Sequence, residues 1–268
     1  MGKTYNNYLL VLFLSLKAMN QKKIVIIPTY NEIENITDII DKVLGLPGEF
    51  EVLVIDDNSP DGTAAAVKSI QKNWPARVHL LVRKGKLGLG AAYITGFKYA
   101  INREYEYIFE MDADFSHNPE DLVRLLEACS KQGYDMSIGS RYITGVNVVN
   151  WPMGRVLMSF FASKYVQFIT GLPIKDATAG FKCYHKKVLE AIDLDNIKFI
   201  GYAFQIEMKF RAWKRGFKIL EVPIIFTDRT RGNSKMTKHI FKEAVFGVIY
   251  MKVKSIFKPI RPNQSESL

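Results

Sequence analysis

From Lys22 onward the chain alternates short, almost uninterrupted apolar runs with segments of helical period, and this alternation restricts the fold more than any other feature. The runs are KKIVIIP, EVLVIDD, RVHLLVR, YEYIFEMD and YDMSIGSR. Their lengths and β-branched content fit strands buried on both faces. Between them lie a helix carrying Ile33, Ile36, Ile40, Val43 and Leu44, a second in TAAAVKSIQKNW, and a third through Ala91–Ile101. A fourth has a start signal in Asn118 as N-cap, Pro119 at the first position and Asp121 in the first turn. Such alternation predicts a single α/β domain whose mostly parallel central sheet is covered by helices on both faces. Ligands bind such sheets beyond the carboxyl ends of the strands. The polar clusters fall there: Thr29–Glu32, Asp56–Ser59 and Asp112–Ser116.

After Arg141 the rhythm changes. A long helix from about Met153 to Ile169 is followed by the Gly-rich turn DATAGF, a helical stretch GYAFQIEMKFRAWKRG and a last strand FKILEVPIIF. The basic loop DRTRGNSK and a C-terminal helix close the chain. We divide it into an N-terminal extension (1–21), a catalytic domain (22–235) and a basic amphipathic helix with its tail (236–268). Met19 is the expected natural start, which makes the first 18 residues an upstream translation or a loose anchor.

The formal net charge of +10 favours anionic partners. From Arg229 to Arg261 nine Lys/Arg stand against one acid, Glu243, while Ile240, Phe241, Ala244, Val245, Val248 and Ile249 recur at helical spacing. A basic amphipathic helix reads as a membrane-surface element; a helix packed on its own domain with solvated lysines is the alternative. The helix bearing Phe160, Phe161, Val166 and Phe168 is a second candidate surface. No run of about 20 apolar residues is present, so a spanning helix is not expected. The two cysteines, Cys129 and Cys183, are far apart in sequence and read as free thiols.

Asp112-Ala113-Asp114 is a D-x-D at a strand end. A hard cation such as Mg²⁺ or Mn²⁺ suits two carboxylates and leaves positions for diphosphate oxygens; solvated capping aspartates are the bland reading. KLGLGAAY opens a G-x-G, but Tyr93 occupies the third small position of a dinucleotide fingerprint, so the motif fails as one. Its glycines read as letting the loop pass close to a nucleotide or sugar. His79, His117, His185 and His239 are scattered and read as structural or surface residues.

PTYNE, VIDDNSPDGT, KLGLGAAYITGF, MDADFSH and GSRY together, in order and spacing, resemble the family-2 glycosyltransferases of the GT-A fold. DATAGFKCY, GYAFQIEM and DRTRGNSKM narrow the resemblance to the polyprenol-phosphate (dolichol-phosphate) mannosyltransferases, from about Lys22 to Lys254. The resemblance implies a metal-dependent, inverting transfer of mannose from GDP-mannose to a polyprenyl phosphate. It implies that Pro28, Tyr30, Glu32, Ile55 and Asp57 hold the nucleoside part of the donor, that Asp112 and Asp114 bind Mg²⁺ or Mn²⁺, and that Ala113 makes a backbone contact between them. Ser116 stands where some relatives place a Gln beside the metal and is the third candidate ligand. Arg141, Arg229 and Lys235 match positions on the diphosphate or incoming phosphate, and Arg155 and Ser159 a pair receiving the lipid phosphate. A peripheral location on the cytoplasmic face of a membrane is implied, with a membrane-anchoring partner protein as another route to the lipid.

A UDP-glucose-dependent polyprenol-phosphate glucosyltransferase is the nearest alternative. Transfer to a sugar hydroxyl would require a base, for which Asp176 is the candidate. A phosphoacceptor receiver domain shares the acidic strand end VLVIDDN but has no place for PTYNE, DADFSH or GYAFQIEM. A nucleic-acid binder would use the positive charge, but the chain carries no motif for one.

Overall fold

The computed structural model describes residues 21–229, 238–257 and 260. Five strands precede the change of rhythm: β1 (Lys23–Thr29), β2 (Glu51–Asp56), β3 (Val78–Val82), β4 (Tyr107–Glu110) and β5 (Met136–Ser140). They alternate with helices α1 (Ile36–Leu44), α2 (Thr63–Asn73), α3 (Leu89–Asn102) and α4 (Asp121–Ser130). The second half adds β6 (Val148–Val149), α5 (Met153–Thr170), β7 (Lys182–His185), α6 (Lys186–Ala191), α7 (Tyr202–Lys214), β8 (Ile219–Pro223), β9 (Phe226–Thr227) and α8 (Lys238–Phe257).

The main sheet has seven strands in the order β3-β2-β1-β4-β7-β5-β8. All neighbours pair in parallel except β7, which runs antiparallel to both β4 and β5. Alternate residues of each central strand enter different cores. Ile24, Ile26, Leu53, Ile55 and Ile108 pack with α3, α5, α7 and α8. Val25, Ile27, Val52, Val54 and Phe109 pack with α1, α2 and α4. Both faces are therefore covered, which is why the strands carry unbroken apolar runs.

Several expectations are corrected. β7 lies inside the segment read as a turn leading to a helix. At four residues, two of them Lys and His, it lacks an apolar run of its own. FKILEVPIIF is two strands: β8 ends at Pro223, and β9 leaves the main sheet to pair with β6. Ile33 precedes α1 and is exposed, whereas Ile39 joins the buried stripe. α4 starts at Asp121; Asn118 caps the turn before it, its side-chain oxygen accepting from the Glu120 N–H at 3.1 Å.

The glycines of KLGLGAAY serve packing. Gly88 has φ of +95° and lies against Ile200, and a Cβ at Gly90 would meet the Phe204 ring at 2.8 Å. The close approach is between α3 and the start of α7. Gly90→Ala is therefore expected to destabilise the fold by about 1–3 kcal/mol, read from the urea midpoint, because Phe204 must leave its place against Tyr93 and Phe97.

The C-terminal helix departs from the expected single apolar stripe. α8 packs on α5 and α7, buries Gly247, Val248 and Met251, and exposes Phe246, Ile249, Val253, Ile256 and Phe257. The side chains of Ile240, Phe241 and Ala244 lie outside the described residues, as do residues 1–18 and Lys235. Its apolar residues thus face both the domain and solvent. Among the described residues no helix is long and apolar enough to cross a membrane.

Candidate active site

The loops after β1, β2 and β4 meet at one rim because these strands are parallel and adjacent, in the order β2-β1-β4. Each loop turns sharply. Asn31, Asn58 and Phe115 take positive φ, at 57°, 60° and 58°. Asn adopts this region readily, whereas for a bulky Phe it is strained. At Phe115 the turn brings the Ser116 N–H back onto Asp114 Oδ1 at 3.0 Å.

Asp112 and Asp114 lie on this turn. Burial, then the neighbouring Asp114 charge, pushes the Asp112 carboxyl up to about 7. Asp114 goes the other way: burial works to raise it, but hydrogen bonding from Ser116 and the Arg229 guanidinium hold it below the usual carboxylate range. Arg229 Nη2 sits 2.7 Å from Asp114 Oδ2. The Tyr93 hydroxyl, whose ring packs against both Phe204 and Phe97, donates to Asp112 Oδ1 at 3.5 Å.

Two carboxylates with one guanidinium between them form a site short of positive charge, and both oxygen donors are hard. This donor set fits Mg²⁺ or Mn²⁺ held by Asp112 and Asp114. No group of three or more His, Cys, Asp or Glu among the described residues is arranged to hold a metal. The remaining coordination would therefore come from diphosphate oxygens and water, with Ser116 contributing its backbone N–H to Asp114.

The pair has a pH signature. The folded protein retains the Asp112 proton into a range where the unfolded chain has lost it, so raising pH through that range destabilises the metal-free protein. Between about pH 5 and about pH 7.5 the melting temperature of metal-free protein is expected to fall more steeply in the wild type than in Asp112→Asn. Mn²⁺ with a nucleoside diphosphate should flatten the wild-type slope. Equal slopes in the two metal-free proteins would contradict the raised carboxyl.

The predicted nucleoside residues border the same rim. Pro28 and Ile55 are register partners on β1 and β2. Tyr30 lies under the Lys86 ammonium, 5.1 Å from the ring centroid. Glu32 is buried, its N–H donating to Thr63 Oγ1 at 3.1 Å and its carboxylate accepting from Asn35 Nδ2 at 3.2 Å. Asp57 accepts from Arg83 Nε at 2.6 Å, and both side chains are largely buried. Arg83 at the end of β3 escaped the sequence reading, where RVHLLVR showed only a strand.

Three arginines lie on the same side of the site as Asp112 and Asp114. Arg229 reaches Asp114, and the preceding residue, Asp228, accepts from Arg155 Nη1 at 2.9 Å. The Arg155 guanidinium lies over Trp151 at 4.2 Å from the ring centroid, and Arg141 lies over the same ring at 5.4 Å. Ser159 follows Arg155 by one helical turn on α5 and is half-buried. Trp151 and Asp228 organise this cluster and were not foreseen, because a lone Trp in an irregular segment has no periodic signal.

Arg141, which the resemblance assigns to the diphosphate or the incoming phosphate, is held by a carboxylate of its own. It is buried, its Nε and Nη2 donate to the two oxygens of Asp176 at 2.7 and 2.6 Å, and Nη2 also donates to Thr178 at 2.8 Å. Asp176 is fully buried. Burial works to raise its carboxyl, but Arg141 outweighs it and holds the group low. This corrects Asp176 as the candidate base: both its oxygens are engaged by a guanidinium.

The family-2 glycosyltransferase model, Glycosyl transferase family 2, matches residues 24–193. The chain belongs to this family. It is a glycosyltransferase, and its α/β architecture is the GT-A fold. Polyprenol monophosphomannose synthase of Mycolicibacterium smegmatis is 47% identical over 228 residues, 85% of this chain and 86% of that protein. Undecaprenyl-phosphate mannosyltransferase of Micrococcus luteus is 46% identical over 223 residues, 83% of this chain and 90% of that protein. Among solved structures, glucosyl-3-phosphoglycerate synthase of Mycobacterium tuberculosis, in complex with Mn²⁺, UDP and glucosyl-3-phosphoglycerate, superposes with a TM-score of 0.65. It is 14% identical and covers 95% of this chain and 86% of that one, so the likeness is one of fold.

Proposed function

We propose that this glycosyltransferase moves mannose from GDP-mannose to a polyprenyl monophosphate, with inversion at the anomeric carbon, at the surface of a membrane. The observation that carries the reading is the placement of Arg229, Arg155 and Arg141 on the same side of the site as Asp112 and Asp114, with Asp176 engaged by Arg141. Such a site binds and orients anions but offers Asp176 no freedom to deprotonate a hydroxyl. Two relatives named for polyprenyl- or undecaprenyl-phosphate mannose synthesis support the same substrates.

Pro28, Tyr30, Glu32, Ile55 and Asp57 would line the nucleoside subsite, with Arg83 fixing the Asp57 carboxylate. A divalent cation held by Asp112 and Asp114, with Ala113 between them, would neutralise charge on the departing GDP. Arg229 adds positive charge on the same side. Arg155 and Ser159, one turn apart, orient the acceptor phosphate, and Arg141 supports them from across Trp151. Lys235 is assigned to the phosphates from the family pattern alone. One acceptor-phosphate oxygen, already anionic at neutral pH, forms the new bond to the anomeric carbon as the bond to the GDP oxygen breaks. Positioning and charge screening supply the catalysis, and no proton has to move first.

Two packed helices present the apolar surface a lipid acceptor requires. α5 exposes Met153, Leu157, Met158, Phe161 and Phe168, and α8 exposes Phe246, Ile249, Val253, Ile256 and Phe257. Tyr165 of α5 donates to the Val245 carbonyl of α8 at 2.9 Å. Interfacial insertion of these side chains would bring the phosphate of a membrane-held acceptor to Arg155 at the start of α5.

Labelled GDP-mannose and UDP-glucose, each offered with polyprenyl phosphate in liposomes and a titration of Mg²⁺ or Mn²⁺, test the reading. Metal-dependent transfer from GDP-mannose is expected, with loss on chelation. Transfer only from UDP-glucose would overturn the donor assignment.

A further inference from the structure

Behind the rim lies a polar network that the proposed chemistry does not use. Glu110, the last residue of β4, is fully buried two positions before Asp112. Its register partner on antiparallel β7 is Lys182, equally buried, with Nζ 3.0 Å from Glu110 Oε1. The Tyr184 hydroxyl donates to the same oxygen at 2.7 Å, and Gln205 Nε2 donates to Oε2 at 2.8 Å. Lys182 Nζ also donates to Gln205 Oε1. Glu110 is thereby gripped from β7 and α7 together.

One helical turn beyond Gln205, Lys209 points from α7 into the same interior and is fully buried. Its Nζ donates to the carbonyls of Ala177 at 2.9 Å and Ala179 at 2.6 Å. Those carbonyls flank Thr178 in the DATAGF loop, where Asp176 and Thr178 bind the Arg141 guanidinium. The loop's other end is tied to β8: Glu221 accepts from the Lys175 and Asp176 N–H groups at 2.7 and 2.9 Å. Residues at i and i+4 share one face of a helix. Gln205 and Lys209 thus reach two separate parts of the site from one rigid element.

We propose that α7 is a positioning clamp, in which Gln205 and Lys209 hold the strand end carrying Asp112 and the loop carrying Asp176 and Arg141 in fixed register. Lys209 is a positioning residue in this arrangement: it touches no substrate and acts through the 176–179 loop on Arg141. Burying a lysine with two main-chain carbonyls and no carboxylate of its own is costly, and Leu or Met would fill the same volume without that cost. A loop that must keep Arg141 aimed at an anion accounts for a lysine there, whose N–H groups hold both carbonyls. The clamp rests on the proposed phosphate-binding site but not on which sugar is transferred.

Steady-state kinetics of Lys209→Met, Arg141→Lys and the double variant test it, using whichever donor the wild type accepts. A wild type inactive with GDP-mannose would count against the donor reading alone, whereas the clamp is judged by ratios between variants. Lys209→Met should lower kcat by about 30–100-fold, as misplacement near the chemistry does, with the donor KM within about twofold. Added to Arg141→Lys, it should cost less than about threefold more, because both act on one arm. An unchanged kcat, or the full single-variant factor recurring in the Arg141→Lys background, would overturn the clamp. If Lys209→Met does not fold by circular dichroism, Thr178→Val decides: it removes the hydroxyl that accepts from Arg141 at 2.8 Å and donates to Asp176 Oδ1 at 3.4 Å, leaving the Asp176–Arg141 pair in place. A lowered kcat at constant donor KM supports the clamp and an unchanged kcat overturns it.

Discussion

Replacing Asp114 by Asn should lower transfer by at least about 10²–10³-fold while the protein stays folded, the range seen when one preorganised electrostatic contact to a developing anion is lost. The side chain sits on a rim turn, with the Ser116 N–H on one oxygen and Arg229 on the other. An amide retains an acceptor for Ser116 but removes the charge that a divalent cation and Arg229 both require. The effect should fall on kcat and on the affinity for Mn²⁺ in the presence of GDP, read by electron paramagnetic resonance. Wild-type activity in a folded Asp114→Asn protein would contradict the metal assignment.

The second large effect is on stability. Lys182→Met leaves Glu110 fully buried, with Tyr184 and Gln205 as its remaining donors. Breaking a buried ion pair from one side is worth about 3–5 kcal/mol, because the surviving charge keeps its desolvation penalty. The urea midpoint should shift accordingly. Replacing both residues, Glu110→Gln with Lys182→Met, should recover part of the loss. A single variant as stable as the wild type would show that the pair is not charged in the folded protein.

How far the fold was legible follows from where its signal lies. The parallel half announces itself because β1, β2 and β4 are buried on both faces and carry apolar runs along most of their length. β7 is equally buried but carries Lys182, and its partner β4 ends in Glu110. With Lys at one end and His at the other, four residues leave no apolar run, so β7 was absorbed into its neighbours. β9 is two residues long and takes its partner from β6, a pairing that no local pattern specifies.

The site divides in the same way. Asp112, Asp114, Tyr30 and Glu32 stand in short contiguous motifs, so their meeting at one rim followed once the strands were placed. Arg155 and Ser159 were readable as one helical turn. The partners of these residues were not readable. Arg83 meets Asp57, Asp228 meets Arg155 and Trp151 meets Arg141 only in three dimensions, and the Trp151–Arg155 contact, four residues apart, has no periodic signal. Asp176 misled for a related reason: the sequence shows a carboxylate but not the guanidinium that engages both its oxygens. Lys182 and Lys209 carry no sequence signal that sets them apart from the other lysines, yet both are completely buried.

The most direct test of the proposed chemistry offers the enzyme, with GDP-mannose and Mn²⁺, either polyprenyl phosphate or the corresponding polyprenol in the same liposomes. The expected result is mannose transferred to the phosphate alone, since the site supplies cations for an acceptor that is already anionic and Asp176 is engaged by Arg141. Comparable transfer to the unphosphorylated alcohol would require a general base and would contradict this arrangement.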